Sequence, residues 1–173
     1  IPKQSPFTTR TMSRPPVNAN APDLAAKLDR GVLSTLLGYV LRRTQSAVFA
    51  DFAATFQAAG AALTPGEFGL LVLVTRNTGL SQMALARALG IDRSTLVPIL
   101  DRLQARGLLV RRLSPTDGRT HALALTPSGD KALARFTRLV RTHEKRIASH
   151  LSTAETRTLI RLLEKVRAGA RSV

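Results

Sequence analysis

The chain has 173 residues, of which 44% are apolar and only 4% aromatic, so one domain with a leucine, valine and alanine core packed between helices is expected. Lys and Arg number 26 against 11 acids, a net charge of +15, and that surplus points to a polyanionic partner, nucleic acid first and an anionic membrane surface second. The lack of cysteine excludes disulfides, thiol redox sensing and cysteine metal sites, and no apolar run approaches the roughly 20 residues needed to cross a bilayer.

Residues 1–22 are rich in Pro, Ser, Thr and Asn and read as a disordered tail. Lys3, Arg10 and Arg14 have no apolar segment behind them, which is not a secretory signal. The expected location is cytoplasmic, and Met12 is a candidate natural start. From Leu24 to about Ala59 the pattern predicts one long helix. Leu33, Leu36, Leu37, Val40, Thr44, Ala47, Val48, Phe52 and Phe56 fall on one face. So wide an apolar face asks for a partner surface, and residues 23–62 are assigned to dimerisation.

Thr64-Pro65-Gly66-Glu67 is a capping box with Pro at the first helical position, so a second, largely buried helix runs from there to about Thr75. Asn77 to Gly79 make a turn. Ser81 then caps a short helix with Met83, Leu85, Ala86 and Leu89 facing inward, closed by Gly90. Asp92 caps the next, from Arg93 to about Arg106, with Leu96, Ile99, Leu100 and Leu103 inward. Leu108–Leu113 and Thr120–Leu125 read as strands around the turn at Asp117-Gly118. Thr126-Pro127 opens a helix to about His150, and Ser152–Glu155 is a second capping box, opening a helix with Leu159, Leu162, Leu163 and Val166 on one face. The predicted fold is mainly α with a small β-hairpin wing (α+β). A winged helix-turn-helix over residues 63–126 is flanked by dimerisation helices over 23–62 and 127–173.

In a helix-turn-helix the second helix enters the major groove, its N-terminal residues against the base edges. Here those residues are Arg93, Ser94 and Thr95, all hydrogen-bond donors. Ser81 and Gln82 open the bracing helix, whose N–H groups and dipole favour phosphate. Arg102 and Arg106 lie further along the reading helix, placed to meet phosphate or to pair with nearby acids. The wing carries Arg111, Arg112, Arg119 and His121, and Asp117 is close enough to hold Arg119 extended toward a narrow minor groove. Residues 76–146 contain 14 basic side chains against 5 acidic ones, which concentrates the positive charge on this segment.

The stretches LSQMALARALGIDRSTL and LDRLQARGLLVRR, with Asp117-Gly118-Arg119 followed by LALTPSG and its Gly129, resemble the MarR family of bacterial transcriptional regulators. The likeness extends over about residues 30–168. It implies a homodimer on a pseudo-palindromic operator in double-stranded DNA, usually repressing neighbouring genes. It further implies relief by a small anionic or phenolic ligand bound between the dimerisation helices and the DNA-binding lobe, with Asp117 and Arg119 as the wing pair. Two departures stand out. Val97-Pro98 replaces a polar residue followed by Arg, and Gly118 stands where Arg is common. Pro98 removes one helical N–H bond and is expected to bend the helix, which leaves base readout mainly to Arg93, Ser94 and Thr95.

Arg42 and Arg43 lie near Tyr39, the one tyrosine of the chain. They read either as a solvated basic face or as the anchor for an effector's carboxylate or phosphate, with Tyr39, Phe52, Phe56, Phe68 and Leu71 as apolar wall. The Phe and Leu residues read more readily as core. His143 and His150 are seven apart on one helix, roughly 10 Å, too far to share a metal, and are expected to be exposed. No Gly-rich phosphate loop occurs and no nucleophile stands beside a base, so no enzyme, cofactor or metal site is expected. The leading expectation is a ligand-responsive DNA-binding regulator whose effector is an aromatic acid or its CoA thioester. The alternatives are a DNA binder without a ligand and a helical dimeric interaction protein using its basic face on acidic partners. The wing argues against the last, since a protein-binding bundle has no use for one.

Overall fold

A computed structural model describes residues 28–77, 79–113 and 121–170. A short 3-10 helix (Gly31–Thr35) is followed by α1 (Leu37–Ala58), α2 (Pro65–Arg76), α3 (Gln82–Leu89), α4 (Arg93–Ala105), β1 (Leu109–Leu113), β2 (His121–Leu125), α5 (Pro127–Ile147) and α6 (Thr153–Gly169). The chain divides inside α1 into an N-terminal unit of residues 1–40 and a larger unit of residues 41–173.

The N-terminal unit corrects the expectation of one unbroken helix from Leu24. Residues 31–35 wind as a 3-10 helix and Leu36 is extended (ψ 115°) before α1 begins. Gly31, Val32, Ser34 and Thr35 are all weak helix formers. The Ser34 and Thr35 hydroxyls donate to the carbonyls of Gly31 and Val32, each at 2.9 Å, which supports a three-residue repeat locally. Val32, Leu33, Leu36, Leu37 and Val40 are between 41% and 68% exposed, so this unit carries a bare apolar surface.

In the larger unit, α1 contributes only Phe52 and Phe56 to the core. Their rings stack at 4.5 Å, Phe136 of α5 lies 5.7 Å from Phe56, and His143 meets Phe52 edge-on at 5.4 Å. His143 is 2% exposed, which overturns its reading as a surface histidine. Its Nδ1 lies 2.6 Å from Asp51 Oδ2, and Arg146 grips both oxygens of that carboxylate at 2.7 Å. Sequence spacing could not show this, because the partners are 92 and 95 residues apart. The Arg146 guanidinium, with His143 second, holds the Asp51 carboxyl down at about 2, so α1 and α5 are tied by a charged clasp beside the aromatic stack.

Around this core α2 packs against α3, α5 and β2, and α4 packs against α3 and β1. Leu70, Leu71, Leu85, Leu96, Leu100 and Leu103 are fully buried. The strands pair antiparallel, Leu109 opposite Leu125 and Leu113 opposite His121. Thr126 joins the hairpin to α5: its N–H donates to the Leu108 carbonyl at 3.1 Å, its hydroxyl donates to Gly107 at 2.6 Å and accepts from the Gly129 N–H at 2.9 Å. Gly129 is buried over that junction, and a Cβ there would stand 2.1 Å from the Leu108 carbonyl oxygen. That contact explains why the motif ends in glycine. Among the described residues no helix is long and apolar enough to cross a membrane.

Candidate nucleic-acid interface

The helix pair α3–α4 is built by its caps. Ser81 accepts from the Ala84 N–H at 3.2 Å to start α3. Gly90 ends it in the left-handed conformation (φ 68°), and the Ile91 N–H closes back on the Ala86 carbonyl at 3.0 Å. That geometry strongly favours glycine and permits a turn of only three residues. Asp92 then opens α4 by accepting from the Thr95 N–H at 2.7 Å. The Ser94 hydroxyl also donates to Asp92, at 2.6 Å. These bonds, Ser94 first and the Thr95 N–H second, hold the Asp92 carboxyl below the usual carboxylate range.

Between the starts of α3 and α4 and the first strand lies a concavity of about 750 Å³ that brings Ser81, Gln82, Arg93 and Arg111 together. Four residues expected separately from three elements therefore share one surface. Arg87 and Met83 join them. Met83 is 64% exposed, against the expectation that it faces inward; only Leu85 and Ala86 of that helix are buried. Arg87 was missed by sequence reasoning, although its spacing of four from Met83 places both on one helical face.

The other expected contacts separate. Ser94 and Thr95 are exposed at the start of α4, but the Ser94 proton is directed to Asp92, leaving its oxygen as an acceptor. Helix α4 runs unbroken through Pro98. Arg102 points elsewhere: its Nε donates to Glu67 Oε1 at 3.3 Å, and Arg106 lies 3.9 Å from the other oxygen. Of its two expected roles it takes the ion pair. For Arg112 and His121 only the backbone, in β1 and β2, is described; the wing pair Asp117 and Arg119, with Gly118, lies outside the described residues.

The expected effector residues divide as well. Arg42 and Arg43 are exposed and line a shallow concavity of about 380 Å³ with Ser46, Ala47 and Ala50, all on α1. Phe52 and Leu71 are core residues, and Phe68 is half-buried against that core, so these do not wall a pocket around the two arginines. Tyr39 is half-buried in the N-terminal unit. Phe56 instead borders a second concavity of about 900 Å³ with Gln57, Thr64, Glu67, Arg102 and Arg106. Among the described residues no cluster of His, Asp and Glu suited to a metal ion occurs.

The sequence profile of the MarR family matches residues 63–120, the segment from the start of α2 to the hairpin. A protein of Thauera aromatica, proposed as a transcriptional regulatory protein for the hcr operon, is 43% identical over 141 residues, 82% of this chain and 84% of its own length. The chain belongs to the MarR family. As a MarR-family member it is a DNA-binding transcriptional regulator, and the fold expected from its sequence is the fold of its relatives. The repressor CouR bound to a 23-mer DNA duplex superposes with a TM-score of 0.74 at 42% identity, covering 81% of this chain and 98% of CouR. The same repressor bound to p-coumaroyl-CoA gives 0.73 at 40% identity, covering 84% and 99%.

Proposed function

We propose that this MarR-family chain is a homodimeric repressor that binds a pseudo-palindromic operator and is released by an aromatic acid or its CoA thioester. The observation that carries the DNA reading is the concavity joining Ser81, Gln82, Arg93 and Arg111. It sets helix N-termini and guanidinium groups on one surface, which suits a phosphate backbone and leaves Arg93 at the position from which a reading helix meets guanine. The family likeness adds Arg112, Asp117, Arg119 and His121 of the wing as candidate contacts, an arginine being the residue suited to a narrow minor groove. A regulator of this kind performs no chemistry on its ligand and works in the cytoplasm, where bacterial DNA is.

Dimerisation is supported by the apolar surface each unit leaves bare. On α6, Leu159, Ile160, Leu162 and Leu163 are between 39% and 58% exposed, more than a solvated helix face ordinarily shows in one patch. Two reading helices about 34 Å apart then enter successive major grooves, and a ligand acts by favouring a different spacing, to the extent of its differential affinity.

The effector class is supported by CouR, which binds p-coumaroyl-CoA, and by two pairs of arginines here. Arg42 and Arg43 form a solvated seat suited to a nucleotide phosphate. Arg102 and Arg106 outnumber the single carboxylate of Glu67 beside Phe56, a seat for a small aromatic monoanion. The test is release of the chain from its own upstream DNA by 4-hydroxycinnamate and by its CoA thioester. Arg43→Ala is expected to raise the thioester concentration needed about tenfold and Arg106→Ala that of the free acid. Release by neither compound contradicts the effector reading and leaves the DNA reading standing.

A further inference from the structure

Positions 94, 98, 101 and 105 of α4 recur at intervals of four, three and four, and so share one helical face. Ser94, Pro98, Asp101 and Ala105 are all exposed, while Leu96, Leu100 and Leu103 on the opposite side are buried. This outward row is the one a reading helix turns toward the groove. It carries no cation and one carboxylate, that of Asp101. A bare carboxylate facing DNA is repelled by every phosphate near it. Asp101, 61% exposed, accepts from Nη2 of Arg111 on β1 at 3.4 Å, and Arg111 is itself 41% exposed. Arg111 also belongs to the concavity that holds Arg87 and Arg93.

We infer that Asp101 determines specificity by acting as an internal stand-in for phosphate. Away from DNA it occupies Arg111. On DNA it gives Arg111 up, because an exposed ion pair is weak, and is left among phosphates. Non-operator DNA, held by charge alone, bears that repulsion in full. An operator offsets it by presenting a base-edge donor to the carboxylate, and the cytosine N4 amine is the major-groove group a carboxylate accepts from. The inference rests on the DNA reading above and adds to it a residue that weakens binding in general and sharpens it at the operator.

The experiment compares the full chain with Asp101→Asn on the upstream promoter duplex and on a shuffled duplex of equal length and composition, at two salt concentrations. The variant is expected to bind the shuffled duplex about fivefold more tightly and the promoter no more than about twofold more tightly. The log–log salt slope on shuffled DNA should steepen by roughly 0.9, because the one phosphate charge that Asp101 offsets then counts in full. Adding Arg111→Gln should remove that extra slope. Asp130→Asn, the same charge change on α5, should leave the ratio between duplexes unaltered. Equal gains on both duplexes reduce Asp101 to plain charge, and losses on both make it a brace for Arg111; either overturns the inference. A wild-type chain that binds neither duplex overturns the DNA reading beneath it.

Discussion

A Leu162→Asp variant is expected to run as a monomer and to lose operator affinity by at least about a hundredfold. Leu162 is 47% exposed and lies beside Leu159, Ile160 and Leu163 on an apolar stretch of α6, outside the buried core cluster. A carboxylate there costs the folded protomer little, yet it cannot be buried unpaired in an interface. Once the dimer is lost, the second half-site no longer binds at the high effective concentration that linkage supplies, a factor of roughly 10² to 10⁴. Sedimentation and gel shift read the two effects together. Circular dichroism should remain that of the wild type, since α6 keeps its Ser152–Glu155 capping box. Tight operator binding by a proven Leu162→Asp monomer contradicts the dimeric mechanism.

Gly129→Ala is expected to have the largest effect on stability. The added Cβ would stand 2.1 Å from the Leu108 carbonyl oxygen and 3.3 Å from the Leu125 side chain. The first neighbour is backbone, fixed by its bond from the Thr126 N–H, so it cannot swing aside as a side chain would. The start of α5 must move off the hairpin, at a cost of about 3 kcal/mol or more. Thermal unfolding followed by circular dichroism should fall by roughly 10 °C. Ser128→Ala, one residue earlier and exposed, should melt with the wild type. A Gly129→Ala chain melting alongside it would show that the junction yields more easily than close packing allows.

What the sequence revealed and what it hid follow from the range of the interactions. The caps at Thr64, Ser81, Asp92, Thr126 and Ser152 are all local, each side chain accepting from a backbone N–H three residues on. A reader of the chain can place them, and with them the helix-turn-helix. Leu96, Leu100 and Leu103 were legible through helical periodicity. Met83 was not, because an apolar residue at an inward-looking spacing can still fall on the rim of a surface concavity. His143 and Arg102 were misassigned or left open because their partners, Asp51 and Glu67, are 92 and 35 residues distant. The 3-10 winding before Leu36 was masked by a leucine pattern that fits both helix types; the backbone bonds from the Leu33 and Leu36 N–H groups to the carbonyls three residues back distinguish them.

Of the candidate interface, Ser81, Gln82, Arg93 and Arg111 were legible because a helix-turn-helix with a hairpin behind it has one outward side. Arg87 belonged to that side and went unnoticed, since an arginine near a helix C-terminus is also a natural dipole partner. The pairing of Asp101 with Arg111 needed the register of β1 against α4, which no single-chain pattern supplies.

The most direct test is the affinity of the full chain for its own upstream DNA between about 50 and 200 mM salt. If the basic face around Arg93 and Arg111 neutralises several phosphates per protomer, log affinity should fall linearly with log salt. The slope should be roughly −0.9 per phosphate, a loss on the order of a thousandfold over that range for a dimer. A slope near zero would contradict DNA binding through this surface.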